Sequence, residues 1–207
     1  MSANAPDTIE PFIEAIHDFD VSQLSKLFDL ALKAHSFDQI AETIIIPIMD
    51  HLGNNWSIKP GIAYEHFFSY WLRAKLYPSL LHQPARPRKT IVCACCPESQ
   101  HEIGLILFSL KLINKGFKVI YLGPNLPTQQ AQLTAEKVNA DAIVLSTFLT
   151  PSPETQQSII ALAAKYKRPV FLGGRGSSKV SEKFPRAGGT LLPNELELST
   201  QIVASLI

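Results

Sequence analysis

The sequence is short of the features that mark several large classes of protein. It has no long apolar run: stretches such as Ile44 to Met49 fall far below the roughly 20 residues that cross a bilayer as a helix. It has no basic block at either end. With 19 Lys+Arg against 18 Asp+Glu its formal charge is +1, so the electrostatic footprint of a nucleic-acid binder is missing and direct binding to DNA or RNA is not expected. It has few cysteines, and all of them lie in Cys93-Ala94-Cys95-Cys96. Neighbours this close in an extended segment do not readily pair, so no disulfide framework is expected, and the group reads as small apolar residues of a buried strand. A structural metal site would need more ligands than this cluster offers. The opening MSANAPDTIEPF lacks both the charged and the apolar region of a secretory leader, which points to a cytoplasmic, reducing location. What the sequence does have is apolar material, 46% hydrophobic against 18% charged residues, enough for well-formed cores.

A length of 207 residues admits one large domain or two small ones, and the patterning divides the chain. Residues 1–82 are helical in period. Leu24, Leu27, Phe28, Ala31 and Leu32 fall on one helix face, with Asp20 or Ser22 as a cap. A further helix starts at Ser36 and carries Ile40, Ile44 and Ile48, with Pro47 expected to kink it. Another follows Pro60-Gly61 and runs to Leu76, and a short one covers Ile9 to His17, so the pattern predicts a four-helix bundle. Residues 83–89, with two prolines and several basic side chains, break every period and read as a solvated linker. From 90 to 207 short apolar strands alternate with helices in five pairs, which predicts an α/β, Rossmann-like (flavodoxin-like) domain on a five-stranded parallel sheet.

In such a sheet, ligands bind at the carboxyl ends of the strands beside the point where strand order reverses. With a flavodoxin-like order of 2-1-3-4-5, the loops after strands 1, 3 and 4 share one edge. The first holds Pro97-Glu98-Ser99-Gln100-His101-Glu102-Ile103-Gly104, with an imidazole where a helix begins. The second holds Ser146-Thr147-Phe148, and the third Gly173-Gly174-Arg175-Gly176, where missing side chains let a ligand approach the backbone. No G-x-G-x-x-G follows the first strand, so this is not a dinucleotide fingerprint.

The run His101-x-x-Gly104, then Ser146-x-Phe148, then Gly173-Gly174 resembles the D-x-H-x-x-G, S-x-L and GG motifs of cobalamin-binding domains, in order and at similar spacing. The resemblance implies that His101 takes the lower axial position on cobalt, while the cofactor's dimethylbenzimidazole tail enters a channel lined by Ser146, Gly173 and Gly174. Where the family carries an acid two positions before the histidine, this chain has Ser99, a weaker acceptor for the second imidazole nitrogen, with Glu98 as an alternative after a small backbone shift. A second resemblance lies in the helical part. Trp56 followed by Glu65-His66, with a gap one residue shorter, looks like the W…EH helix of cobalamin-dependent photoreceptors, the light-sensing repressors of carotenoid genes. It implies that Trp56 and Glu65 surround an adenosyl group on the upper face of the corrin and that His66 waits near cobalt. Aromatic residues on a helix are more often bundle core, but an adjacent Glu-His pair in that surround favours a pocket.

These resemblances imply a non-enzymatic, adenosylcobalamin-binding light sensor. Its helical part acts as a cap, with no room before it for a helix-turn-helix reader, so transcription would be regulated through a partner transcription regulator. In this the chain resembles short cobalamin-binding antirepressors of photosynthesis genes. Illumination would remove the adenosyl group and let His66 join His101 on cobalt. Two alternatives keep the fold: a corrinoid methyl carrier of a methyltransferase system, and a haem-binding redox sensor in which the same two histidines serve iron.

Overall fold

The computed structural model describes residues 8–57, 59–180 and 182–207. The opening segment up to Asp7, and Ile58 within the tryptophan motif, lie outside the described residues. The first helix, α1 (Glu10–His17), precedes α2 (Val21–Ala34), which begins where it does because the Asp20 carboxylate accepts the Gln23 N–H at 2.9 Å. Ser36 and Gln39 form a capping box that starts α3 (Phe37–Ile40). A π-helical stretch, Ala41–Ile45, continues α3 into α4 (Ile46–Asn54), and Pro47 sits in the first turn of α4. Proline lacks the N–H that an α-helix would direct at the Thr43 carbonyl, and the wide turn lies immediately before it. The long α5 (Gly61–Leu80) buries Phe68, Trp71, Leu72 and Leu76 on one face. There the Trp71 indole meets the edge of Phe28 at 5.5 Å and donates to Ser25 Oγ at 3.2 Å, so this tryptophan is bundle core.

The chain divides into two compact units between Leu76 and Tyr77, inside α5 rather than at the proline-rich segment. The last turn of α5 belongs to the second unit because Leu80 is buried and the Tyr77 hydroxyl donates to Glu102 at 2.6 Å. Gln83 is also held there, its side-chain oxygen accepting the Val119 N–H at 2.9 Å.

The second unit is a parallel sheet of β1 (Thr90–Cys95), β2 (Lys118–Tyr121), β3 (Ala142–Ser146), β4 (Val170–Gly173) and β5 (Gly189–Leu191), in the order β2-β1-β3-β4-β5. Its connections carry α6 (Ile103–Asn114), α7 (Thr128–Lys137), α8 (Pro153–Lys165) and the short α9 (Lys183–Arg186), and α10 (Leu196–Leu206) follows β5. The expected flavodoxin-like topology is the one observed. β1, β3 and β4 are nearly continuous apolar runs because helices cover both faces, and Val92, Ala94, Ile143, Leu145 and Leu172 form the heart of one core. The order reverses beside β1, and the register there sets Cys95 next to Ser146 and Ser146 next to Gly173. Three chain exits therefore lie side by side on one edge. Among the described residues, no helix is long and apolar enough to cross a membrane.

Candidate functional site

The loop leaving β1 is strapped down by main-chain bonds. Cys96 N–H donates to the Ser146 carbonyl at 2.8 Å, Ser99 N–H turns back to the Cys96 carbonyl at 3.1 Å, and Asn125 N–H donates to the Ser99 carbonyl at 3.0 Å. Glu98 adopts a left-handed backbone, φ 70°, steadied by its own N–H on Asn125 Oδ1 at 2.8 Å. Its carboxylate reaches across to the start of α8, where it accepts from Ser152 Oγ at 2.8 Å and Thr155 Oγ1 at 3.2 Å. Those bonds, the Ser152 hydroxyl foremost, hold the Glu98 carboxyl below the usual range. Glu98 is thus held at the start of α8 and accepts no hydrogen bond from His101 in this structure.

Ser99 is 5% exposed, and its Oγ has no hydrogen-bond partner among the described residues. His101 is half-buried, and its ring lies nearly flat on Phe148, centroids 4.3 Å apart at 19°. The Arg175 guanidinium carbon is 5.5 Å from the centre of the same phenyl ring. Glu102, the N-cap residue of α6, is 4% exposed, and its carboxylate accepts from the hydroxyls of Tyr77 and Tyr121, each at 2.6 Å. Burial and then this carboxylate push the Tyr121 phenol far above its usual range. Gly104, in the first turn of α6, is exposed, and a side chain there would point into open space.

Across the edge, Thr147 N–H donates to the Gly173 carbonyl at 3.0 Å, and its hydroxyl donates to the Leu149 carbonyl at 2.8 Å. Gly174 has φ 87°, and a Cβ there would collide with the Thr147 carbonyl oxygen; at Gly176 it would collide with that of Leu149. These two glycines were expected to admit a ligand. In the structure their missing side chains let the loop after β4 press against the loop after β3, whereas Gly173 sits at ordinary contact from Leu192, 3.5 Å.

Cys93, Cys95 and Cys96 are all buried free thiols, and burial pushes those of Cys93 and Cys95 up to about 12. They are small core residues rather than reactive ones. Among the described residues, no group of three or more His, Cys, Asp or Glu side chains could hold a metal ion. A lone imidazole suits a metal that arrives with its other ligands in a macrocycle.

In the helical unit, Trp56 is 47% exposed and lines a surface pocket of about 400 Å³ with His66, Lys59, Pro60 and Ile62. Glu65 turns along its own helix, accepting from Ser69 Oγ at 2.9 Å, with His66 Nε2 4.0 Å from its other oxygen. Trp56, Glu65 and His66 are thus neighbours, but Glu65 is oriented by Ser69. Sequence reasoning did not single out Tyr77, Tyr121 or Arg175 as parts of the site, since no motif spacing joins these positions to Glu102 or Phe148.

The strand order and register thus place a histidine-bearing loop beside serine and glycine exits at the switch point, where open parallel sheets bind their ligands. Residues 89–190 match the family model of the B12 binding domain. The chain is 30% identical over 170 residues to the HTH-type transcriptional repressor CarH of Myxococcus xanthus, a match over 80% of this chain and 56% of that protein. It is 27% identical over 173 residues to the repressor CarA of the same organism, covering 81% and 58%. The chain therefore spans little more than half the length of these curated relatives. In fold it is similar to the monomethylamine corrinoid protein of Methanosarcina barkeri, with a TM-score of 0.75 at 18% identity over 96% of this chain and 98% of that one. A cobalamin-binding protein from Desulfitobacterium hafniense DCB-2 matches with a TM-score of 0.50 at 22% identity, over 94% and 96%. The residues present fit such a cofactor: a partly open imidazole, a buried unpaired hydroxyl two residues before it, and free space over Gly104.

Proposed function

We propose that this protein is a cobalamin-dependent light sensor that takes up adenosylcobalamin and regulates transcription through a partner regulator. The observation that carries the reading is the register that aligns Cys95, Ser146 and Gly173 at the switch point, with His101 on the loop that leaves it. The match of residues 89–190 to the B12 binding domain model supports the cofactor, and similarity to two transcriptional repressors supports a regulatory role over a catalytic one. His101 would be the cobalt ligand, with Ser99, two residues earlier on the same loop, the nearest hydroxyl in sequence. Ser146, Phe148, Gly173 and Gly174 are assigned to the nucleotide tail, and Gly104 leaves room for the ring. In the helical unit, Trp56 and Glu65 are assigned to adenosyl recognition, and His66 to cobalt after illumination. When bound, adenosylcobalamin supplies a cobalt–carbon bond that light breaks. A cytoplasmic location fits these roles.

The test is absorption spectroscopy of the full chain with adenosylcobalamin, in the dark and after green light. We expect a histidine-ligated dark spectrum that His101→Ala loses, and a bis-histidine light spectrum that His66→Ala loses. An unchanged spectrum in both variants refutes the ligation. Equal affinity for methylcobalamin and adenosylcobalamin refutes the sensor reading in favour of a methyl carrier.

A further inference from the structure

We infer that Phe148 is the positioning residue for His101, setting the plane of the imidazole through its ring face where a hydrogen-bond acceptor would otherwise set it. The inference deepens the ligation proposed above and rests on it.

A ligating imidazole must present one ring nitrogen along a fixed direction, and this is ordinarily achieved by anchoring the other nitrogen to an acceptor. Each neighbour that could serve as that anchor is otherwise disposed. The Glu98 carboxylate is held by Ser152 and Thr155 at the start of α8. The Glu102 carboxylate is held by two phenols, at 2.6 Å each. Ser99 Oγ is buried with no partner among the described residues, so it does not bond the ring either. Among the described residues, no side chain accepts from His101, whereas Phe148 covers one face of the ring at 4.3 Å and 19°.

A near-parallel stack at this distance removes the rotations that tilt the imidazole out of plane and leaves both ring nitrogens free at its edge. Phe148 is itself held. Its loop is fixed by the Thr147 bonds to Gly173 and Leu149, and the Arg175 guanidinium lies over its ring at 5.5 Å. A leucine here would fill space without presenting a flat face to the imidazole.

The test uses the full chain with and without adenosylcobalamin. Without cofactor, proton NMR of His101 should show imidazole resonances displaced upfield by the Phe148 ring. The displacement should vanish in Phe148→Leu and persist in Phe148→Tyr. With cofactor, Phe148→Leu should lower the ratio of histidine-ligated to unligated cobalamin about two- to tenfold, the worth of one aromatic pair. Phe148→Tyr should hold the wild-type ratio, and Ser99→Asp placed in Phe148→Leu should restore it by supplying an acceptor. The inference is overturned if Phe148→Leu keeps the wild-type ratio, whatever becomes of the displaced resonance, or if Phe148→Tyr lowers the ratio as much as Phe148→Leu does. Failure of ligation itself is a separate result, seen as a His101→Ala spectrum equal to wild type.

Discussion

Replacing Glu102 by glutamine tests whether a buried carboxylate next to the proposed ligand holds the site together. In the native protein this side chain is 4% exposed and accepts two phenol hydroxyls at 2.6 Å, distances typical of charge-assisted bonds. Such a bond contributes about 1.5–3 kcal/mol, against about 0.5–1.5 kcal/mol for a neutral one, so the amide loses about 1 kcal/mol per phenol. Tyr77 is 40% exposed, and water replaces part of its bond, which brings the expected total to about 1.5 kcal/mol. Tyr121→Phe should cost about 2 kcal/mol, because it leaves the buried carboxylate short of a donor. Combined with Glu102→Gln it should cost less than the sum by about 1 kcal/mol, since both changes remove the same bond. Urea unfolding measures this with two probes. Trp56 and Trp71 both lie in the helical unit, so tryptophan fluorescence follows that unit while far-UV circular dichroism follows both. The loss should appear in the dichroism transition with its slope unchanged. Strict additivity of the two substitutions, or a Glu102→Gln midpoint equal to wild type, would refute the network.

Gly174→Ala should cost about 3 kcal/mol or more, from the positive φ and from collision with the Thr147 carbonyl, and a thermal melt that shifts by less than a degree would contradict the loop packing. Glu197 accepts from Lys115 at 3.0 Å, from Gln201 Nε2 at 3.0 Å and from the buried Lys111 at 3.2 Å, and these partners, Lys115 foremost, lower its carboxyl to about 2. Because the folded value lies below the unfolded one, this stabilisation is complete above pH 4.5 and is lost as pH falls toward 2; solvent screening reduces it to about 1 kcal/mol. Glu197→Gln should flatten the acid limb of the stability curve, and adding Lys111→Met should recover the neutral-pH loss; an unchanged acid limb would refute the assignment. The three thiols should resist iodoacetamide at pH 8 in the folded protein and react fully in urea, as read by mass spectrometry, and rapid native labelling would place them outside the core.

Much of the fold was legible because it is written in local periods. The capping box at Ser36 and Gln39, the helical face of α2 and the five short apolar strands each depend on residues a few positions apart. The strand order was legible as well, since alternating strands and helices admit few handed connections. The candidate residues His101, Ser146 and Gly173 could be named from the loops they occupy and their resemblance to cobalamin-binding motifs, and the register places those loops on one edge. The division inside α5 was not legible, because helical period does not say which core a turn packs against.

The sequence by itself determined the element types, the sheet class and the set of residues near the switch point, all consequences of backbone geometry acting over short separations. Only the tertiary structure decided what those residues do to one another. Glu98 serves a serine 54 positions away, Glu102 joins tyrosines 25 positions before it and 19 after, and Phe148 rather than a carboxylate lies on His101. Such partnerships depend on strand order and register, which bring distant loops to one edge, and on burial, which obliges each charged or polar group there to find a partner; neither quantity is carried by any short stretch of the chain.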